Sequence, residues 1–462
     1  MNEQNGSESL HRRGSERSRC WPLLILVLVG ETARAQELIL PPTLLLPNYD
    51  RIYPGLEEAL EGGAFIARAQ SVTALFYNPA GIALVQRTVL SASVQGYQLT
   101  TLGGSGFQHS TPVSSFEGLP SSLGVVLGSE VIGWEKVRLG FAVAQPVHWH
   151  QNAVASSTPE PGQRVSYSVA SAFDTVVPTV SLGWAAAGNL RLGGAIEFPY
   201  TTLSENGQLS GELTSTSTSH GTIRNITAGG STFQIRAVGG VQWEPLAWLA
   251  VGLTVRTPGL KLLNGGSFTY ESLTNLNAGT EQVFFEDTEP TFEYRLPAGI
   301  GLGTAFQFGL FRFEVDLRWH AGTHEYPLFS SQTPARVVDT TSGAPATREI
   351  PFPTITYRAR QVWNWSVGAQ LMLSTNFSLS GGMYVDSSPV DLETPVFRRV
   401  DLIGLRGGVS FHSAKVSGSV GLGWEHGKAS DDLFPVGVPI PGEQAEITLD
   451  TFSVILAVSF KF

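Results

Sequence analysis

From Thr88 to the last residue, apolar and polar positions alternate with a period of two, the mark of strands that are apolar on one face. The alternation predicts strands at 88–101, 115–128, 137–151, 165–187, 190–203, 231–243 and 246–258, then at 292–307, 310–322, 357–373, 376–388, 400–412, 415–427 and 448–462. That is about fourteen, and closed bacterial barrels have even strand numbers. Short connections (187–189, 244–245, 308–309, 374–375, 413–414) alternate with long polar ones (204–230, 259–291, 323–356, 428–447). Tight turns at one end and elaborate loops at the other are the asymmetry of an outer-membrane barrel.

The facing of individual residues sharpens this. Along 310–322, Phe311, Phe313, Val315, Leu317 and Trp319 share one face, while Arg312, Glu314, Asp316, Arg318 and His320 share the other. Arg138, Arg191, Glu197, Arg236, Arg256, Arg295, Arg406 and Glu425 likewise fall opposite their strand's aliphatic set. A soluble sandwich would solvate such a row, but it would carry these long unstructured loops poorly. The expected class is therefore all-β, a transmembrane antiparallel barrel with polar residues inside and apolar ones toward lipid. Trp149, Tyr167, Trp184, Trp243, Trp319, Trp363, Trp365 and Trp424 suit interfacial girdles.

Composition agrees: 42% of the 462 residues are hydrophobic, only 15% are charged, and 51 are glycine. No run reaches the roughly twenty apolar residues of a transmembrane helix, so residence in a membrane requires a closed sheet. Arg12, Arg13, Arg17 and Arg19, the apolar run 23–29 and Ala33-Arg34-Ala35 read as a signal peptide over 1–35. The single cysteine, Cys20, lies in that leader, so the mature chain has no thiol chemistry. A net charge of −10 argues against nucleic acid as a partner.

The segment 36–87 between leader and first strand is read as an N-terminal extension followed by a compact element, with the barrel proper at 88–462. Leu56 to Leu60 could make one helical turn. Gly62 and Gly63 free the backbone, and Asn78-Pro79 can cap and open a short helix over 79–85.

Ala67-Arg68-Ala69 followed by Ala74-Leu75-Phe76-Tyr77-Asn78-Pro79-Ala80-Gly81 is similar to the hatch signature of FadL-type outer-membrane transporters of long-chain fatty acids and aromatic hydrocarbons. Leu296-Pro297 and the segment Gly381 to Val390 resemble further parts of that family. The resemblance implies a lumenal hatch containing Phe76, Tyr77, Asn78, Pro79, Ala80 and Gly81. It also implies a lateral opening in the third strand, where Gln145-Pro146 stand. The ligand would be a long-chain fatty acid or aromatic hydrocarbon entering passively, in the outer membrane of a Gram-negative bacterium, through a monomer surrounded by outer-membrane lipid. The extension before the hatch and Gln70-Ser71-Val72-Thr73, where the family often has acidic residues, depart from its pattern. The last strand, Phe452, Val454, Leu456, Val458, Phe460 and Phe462 against Ser453, Ala457, Ser459 and Lys461, resembles the signal read by the barrel-assembly machinery.

A fatty-acid carrier needs a fixed cation in an apolar cleft. Arg256, Arg295 and Arg318 are the candidates, each also able to pair with Glu293, Glu314 or Asp316 in a structural network. The alternative is a hatch-plugged porin or structural barrel passing polar solutes. No Gly-x-Ser-x-Gly elbow or His-Glu-x-x-His motif is present, so neither catalytic residues nor a cofactor or metal are expected. His148 and His150 are read as an inward pair that hydrogen-bonds rather than holds a metal, and His320, His324 and Glu325 as loop residues.

Overall fold

The computed structural model describes residues 46–105, 109–111, 113–157, 162–214, 219–276, 279–352, 354–391, 399–431 and 445–462. The leader expected at 1–35 lies outside the described residues. The alternating segments form a closed antiparallel barrel of 14 strands. These are β1 (Val89–Ser105), β2 (Val113–Leu127), β3 (Val137–Ser157), β4 (Gln163–Ala187), β5 (Leu190–Glu197 and Tyr200–Thr214), β6 (Ser219–Leu246) and β7 (Leu249–Arg256 and Leu260–Leu276). The ring continues through β8 (Gly279–Asp287 and Gly299–Phe308), β9 (Phe311–His320), β10 (Val362–Met372), β11 (Phe377–Asp386), β12 (Asp401–His412), β13 (Val416–Asp431) and β14 (Ala445–Lys461). β14 closes on β1, with Val89 opposite Lys461 and Leu90 opposite Phe460.

Several predicted long loops prove to be strand. β5 and β6 stay paired from Leu203 opposite Gly230 up to Thr214 opposite Ser219, so most of 204–230 is ladder. Most of 259–291 is likewise paired, Leu260–Leu276 with β6 and Gly279–Asp287 with β7. In these stretches polar residues are interspersed with apolar ones on both faces, Leu209, Ile226, Phe268 and Phe285 being buried and Ile223, Leu273 and Phe284 exposed. The hydropathy alternation fades there while the backbone pairing continues, which is why the sequence pattern read them as loops. Within 323–356, Tyr326–Ser330 joins Thr291–Phe292 and Ile355–Tyr357 in a small separate sheet.

The facing holds. On β9, Phe311, Val315 and Leu317 are exposed on the outside, whereas Glu314, Asp316 and Arg318 are buried inside. Leu123, Phe141, Val180, Leu182, Leu253, Leu302, Leu379, Leu405, Leu422 and Leu456 extend the apolar exterior around the ring. An exposed apolar belt of this extent needs lipid to cover it. Trp184, Trp243 and Trp248 are exposed near the short-turn end and Trp363 near the other, as girdles would be. Trp149 departs from this: it points inward, buried beneath the Arg51 guanidinium 5.2 Å from its ring, and the Tyr167 side chain lies outside what is described.

Residues 46–86 lie within the ring. A Cβ added to Gly193 on β5, Gly252 on β7, Gly303 on β8 or Gly382 on β11 would collide with Pro79-Ala80, Ile66, Ala67 and Glu61 respectively. Contacts reaching such widely separated strands enclose the segment. It folds as α1 (Glu57–Leu60), α2 (Ala74–Tyr77) and a 3-10 turn, Pro79–Leu84. Gly62 and Gly63 make the sharp bend after α1 with φ of 63° and 74°.

Candidate functional site

Asn78 ties the lumenal segment together. Its backbone is extended, with φ −159° and ψ 106°, and its Oδ1 accepts from the Ala80 amide at 3.2 Å, capping the turn that Pro79 opens. Its Nδ2 donates to the Ile66 carbonyl at 3.0 Å and to the Val241 carbonyl of β6 at 2.9 Å. One buried amide thus joins both halves of the segment to the wall. Gly81 must lack a side chain, because a Cβ would run into the Ala69 carbonyl.

A second anchor was not legible as such in the sequence. Asp316 accepts from the Phe65 and Ile66 amides at 2.8 and 3.0 Å, and Glu314 from the Ala67 amide at 2.6 Å. Arg68 donates to Glu314 at 2.7 Å and also pairs with Glu61. The alternating charges of β9 announced inward carboxylates. Their partners, three successive backbone amides, carry no sequence signal.

Above this floor is a cavity of about 120 Å³. Ile52, Tyr53 and Phe76 line it from the lumenal segment, and Val147, Val177, Leu296 and Pro297 from the wall and the loop above it. Its polar side holds Asp50, Glu197, Arg236, Arg256, Arg318 and His320. Most of these groups have partners: Arg236 pairs with Glu197, His320 lies 3.2 Å from Asp50, and Arg318 pairs with Asp316 at 3.3 Å. Arg318 also donates to the Gly63 carbonyl. Arg256 differs. Its guanidinium donates to the Phe76 carbonyl and, among the described residues, has no carboxylate partner.

Of the three candidate arginines, the structure therefore brings Arg256 and Arg318 to the cavity. Arg295 stands apart, half exposed, paired with Glu293 at 2.6 Å and stacked over Tyr326 at 4.4 Å. It lies between the two parts of β8, where the chain leaves the ladder and the parity argument lapses. Tyr49, Asp50, Ile52 and Tyr53, at the cavity's edge, come from the extension before the hatch-like signature, which has no recognisable pattern.

The wall beside the cavity is broken at Pro146. β3 pairs with β4 below Ala144 and above Val147, with a bulge of Gln145 and Pro146 between. β2 pairs with β3 only from Ser122 opposite Ala144 down to Leu127 opposite Leu139. Among the described residues, the next pairing on that edge of β3 is His109–Thr111 with Val154–Ser156. The Pro146 carbonyl turns inward and accepts from the Ile52 amide at 3.0 Å. Pro120 stands on the opposite edge beside a second register shift, so a proline unable to donate to the ladder flanks each side of the gap.

The bulge also reverses facing. Below it the even-numbered residues Ala142 and Ala144 are buried inside; above it Val147, which lines the cavity, and Trp149, beneath Arg51, hold the inner face, while His148, also buried, pairs with Asp174 between them. His148 and His150 consequently share the outer face with Asp174, not the lumen expected from uninterrupted alternation. His320 belongs to the end of β9 and reaches the cavity, rather than standing in a loop.

Protonation bears on how the segment sits. Burial pushes the Glu58 carboxyl up to about 7 from an ordinary 4.5, against the Thr73 hydroxyl that donates to it, and Glu61 is similarly raised to about 7 by burial against Arg68. A group that binds its proton more tightly when docked stabilises docking fully below the ordinary value and loses that contribution as pH rises through the raised one. Amides 56–75 are expected to exchange several-fold faster at pH 8 than at pH 5 after correction for intrinsic rates, and Glu58→Gln to shrink the difference. Equal corrected rates would refute the linkage.

Comparison with protein-family profiles and with curated proteins gives no match. Solved structures do match. The Pseudomonas putida toluene transporter TodX has a TM-score of 0.58 at 12% identity, over 89% of this chain and 99% of that one. The monoaromatic hydrocarbon channel CymD gives 0.54 at 13% identity, over 90% and 99%. A Pseudomonas aeruginosa FadL homologue gives 0.51 at 12%, over 90% and 99%. The chain has the FadL-type barrel fold.

Proposed function

We propose that the protein is an outer-membrane channel for passive uptake of small hydrophobic compounds, with residues 46–86 as its plug and the break at Pro146 as a lateral exit into the membrane. The observation that carries this reading is the composition of the cavity wall, to which the plug residues Phe76 and Tyr77 and the break residue Pro146 all contribute. A solute there is held above the plug and beside a gap toward lipid. An apolar solute gains by moving sideways into hydrocarbon, at roughly 25 cal/mol per Å² of apolar surface removed from water, so no energy source is required.

The size of the cavity favours a compact ligand. Its volume of about 120 Å³ is close to that of an engineered cavity, about 150 Å³, that binds benzene. The matching structures include channels named for toluene and monoaromatic hydrocarbons, and a single aromatic ring is the substrate class proposed here. The polar-solute alternative is disfavoured by the apolar side of the cavity. The test is uptake of labelled toluene by cells with and without the protein, with equal uptake removing the proposal.

Arg256 supports a second reading, a fatty acid whose carboxylate replaces the Phe76 carbonyl on the guanidinium. A hydrogen bond to a charged group contributes about 1.5–3 kcal/mol, so Arg256→Met should weaken oleate binding by roughly tenfold to a hundredfold. Toluene uptake should be unchanged. Oleate binding that ignores the substitution would leave hydrocarbons as the only class.

A further inference from the structure

The outer face of the wall beside the break carries a second site. His148 and His150 stand two apart on β3 and so share a face, and Asp174 of β4 lies directly opposite His148. The imidazole centroids are 4.0 Å apart. Asp174 takes one ring nitrogen on each oxygen, Nδ1 of His148 on Oδ1 and Nε2 of His150 on Oδ2, the latter at 3.1 Å. One donor atom from each of the three side chains lies within 4.8 Å of the others. Four ligands about 2.0–2.2 Å from a tetrahedral ion are separated by about 3.3–3.6 Å, so modest side-chain rotation closes the set around a metal.

From this geometry we infer a binding site for a late first-row divalent cation of the zinc class, held by His148, His150 and Asp174. Two imidazoles and a carboxylate suit such an ion, whereas calcium and magnesium prefer oxygen ligands alone. Gln145 is the outer partner. Its Nε2 lies 3.0 Å from Asp174 Oδ1 and 3.2 Å from His148 Nδ1, where it orients both ligands. His150 and Asp174 are 34% and 26% exposed, which leaves the ion an approach and a fourth coordination position from outside the barrel.

The site exists because of the bulge. Had Gln145 and Pro146 each taken a ladder position, instead of sharing the one opposite Val176, the histidines would fall on the lumenal face, opposite in facing to Asp174. Just below the cluster the same outer face is apolar, with Phe141, Val143 and Val180 exposed; just above it the face is mixed, with Asn152 and Val154 exposed. The site thus sits where the continuous apolar face of β3 gives way to a mixed one. A bound ion would clamp β3 to β4 at the height of the break and stiffen that border of the opening. The inference does not depend on what the channel carries.

The test uses the full-length chain purified in detergent and stripped with a chelator. Zn²⁺ titration should show one equivalent bound per chain, and Co²⁺ should give the visible spectrum of a tetrahedral ion. His148→Ala, His150→Ala or Asp174→Asn should each weaken Zn²⁺ binding by more than about a hundredfold, since loss of an outer partner alone costs about ten- to a hundredfold; Gln145→Ala should fall within that smaller range. Heat-modifiable gel mobility verifies that each variant is a folded barrel. Wild-type binding no tighter than that of the folded His148→Ala/His150→Ala double variant, or an octahedral Co²⁺ spectrum, would overturn the assignment.

Discussion

Deleting Pro146 while replacing Pro120 by Thr is expected to reduce uptake of labelled toluene to that of cells lacking the protein, in a barrel that still folds. Gln145 and Pro146 together occupy one position, opposite Val176 of β4, because Ala144 faces Val177 and Val147 faces Thr175. Removing Pro146 therefore leaves Gln145 alone opposite Val176 and disturbs no other pair on β4. The regularised β3 then presents a continuous row of amides to β2. Thr at 120 returns the missing donor on the facing strand and has good strand propensity. With both prolines gone, the two free edges pair as exposed edges tend to do.

The proof that the wall has closed is separate from the transport result. Amides 145–153 should gain protection from hydrogen exchange in the double variant. If they do and toluene still enters at the normal rate, lateral exit near Pro146 is wrong and the route must run elsewhere. Pro120→Thr alone keeps the β3 bulge and should retain most uptake.

These proline positions also show how far the sequence was legible. A closed barrel with charged residues inside could be read from β9 alone, because Arg312, Glu314, Asp316, Arg318 and His320 cannot all face lipid. The interruption at Pro146 was equally readable, since a proline in an interior strand has few places to go. Its consequence was not. A bulge changes which residues face inward, and alternation carried straight through it placed His148 and His150 in the lumen and Trp149 in the outer girdle. Both errors come from one extra residue.

The candidate site was legible only where chemistry and local conformation coincide. Asn78-Pro79 announced a capped turn, and the capped turn is there. Arg256 could be found by parity, because it ends a regular strand segment. Arg295 could not, because its surroundings depend on how the chain between the parts of β8 stacks on Tyr326. The amides of Phe65, Ile66 and Ala67 that hold the plug to Asp316 and Glu314 are invisible in principle, since every residue but proline has one. Nor does any spacing reveal that the stretch from Leu46 to Gly55 climbs the lumen, with Asn48 donating to the Asp386 and Val400 carbonyls at 2.8 and 3.1 Å.

Asn78→Asp should release the plug without unfolding the barrel, turning the protein into a pore for polar solutes. The amide nitrogen of Asn78 donates to two carbonyls, of Ile66 and Val241, in a fully buried position. An aspartate places an acceptor there, so two carbonyls lose their donor and face an oxygen instead. Each buried polar group left unsatisfied costs about 1–3 kcal/mol, and a carboxylate without a cation costs more. The sum reaches the scale of the net stability of a small docked element, which lies far below that of a 14-stranded ladder. Asn78→Ala loses the same hydrogen bonds without adding a charge and should be intermediate. Eight-stranded barrels are filled by their own side chains and sixteen-stranded ones enclose water, so on the proposed reading the plug is what shuts a ring of intermediate size. In planar bilayers the Asp variant should show frequent large conductance steps where the wild type is nearly silent, and cells carrying it should become sensitive to large polar antibiotics. A silent Asp variant with the exchange protection of 62–86 intact would mean that Asn78 does not hold the plug, and that its other ties to the wall, the acidic pair on β9 among them, suffice.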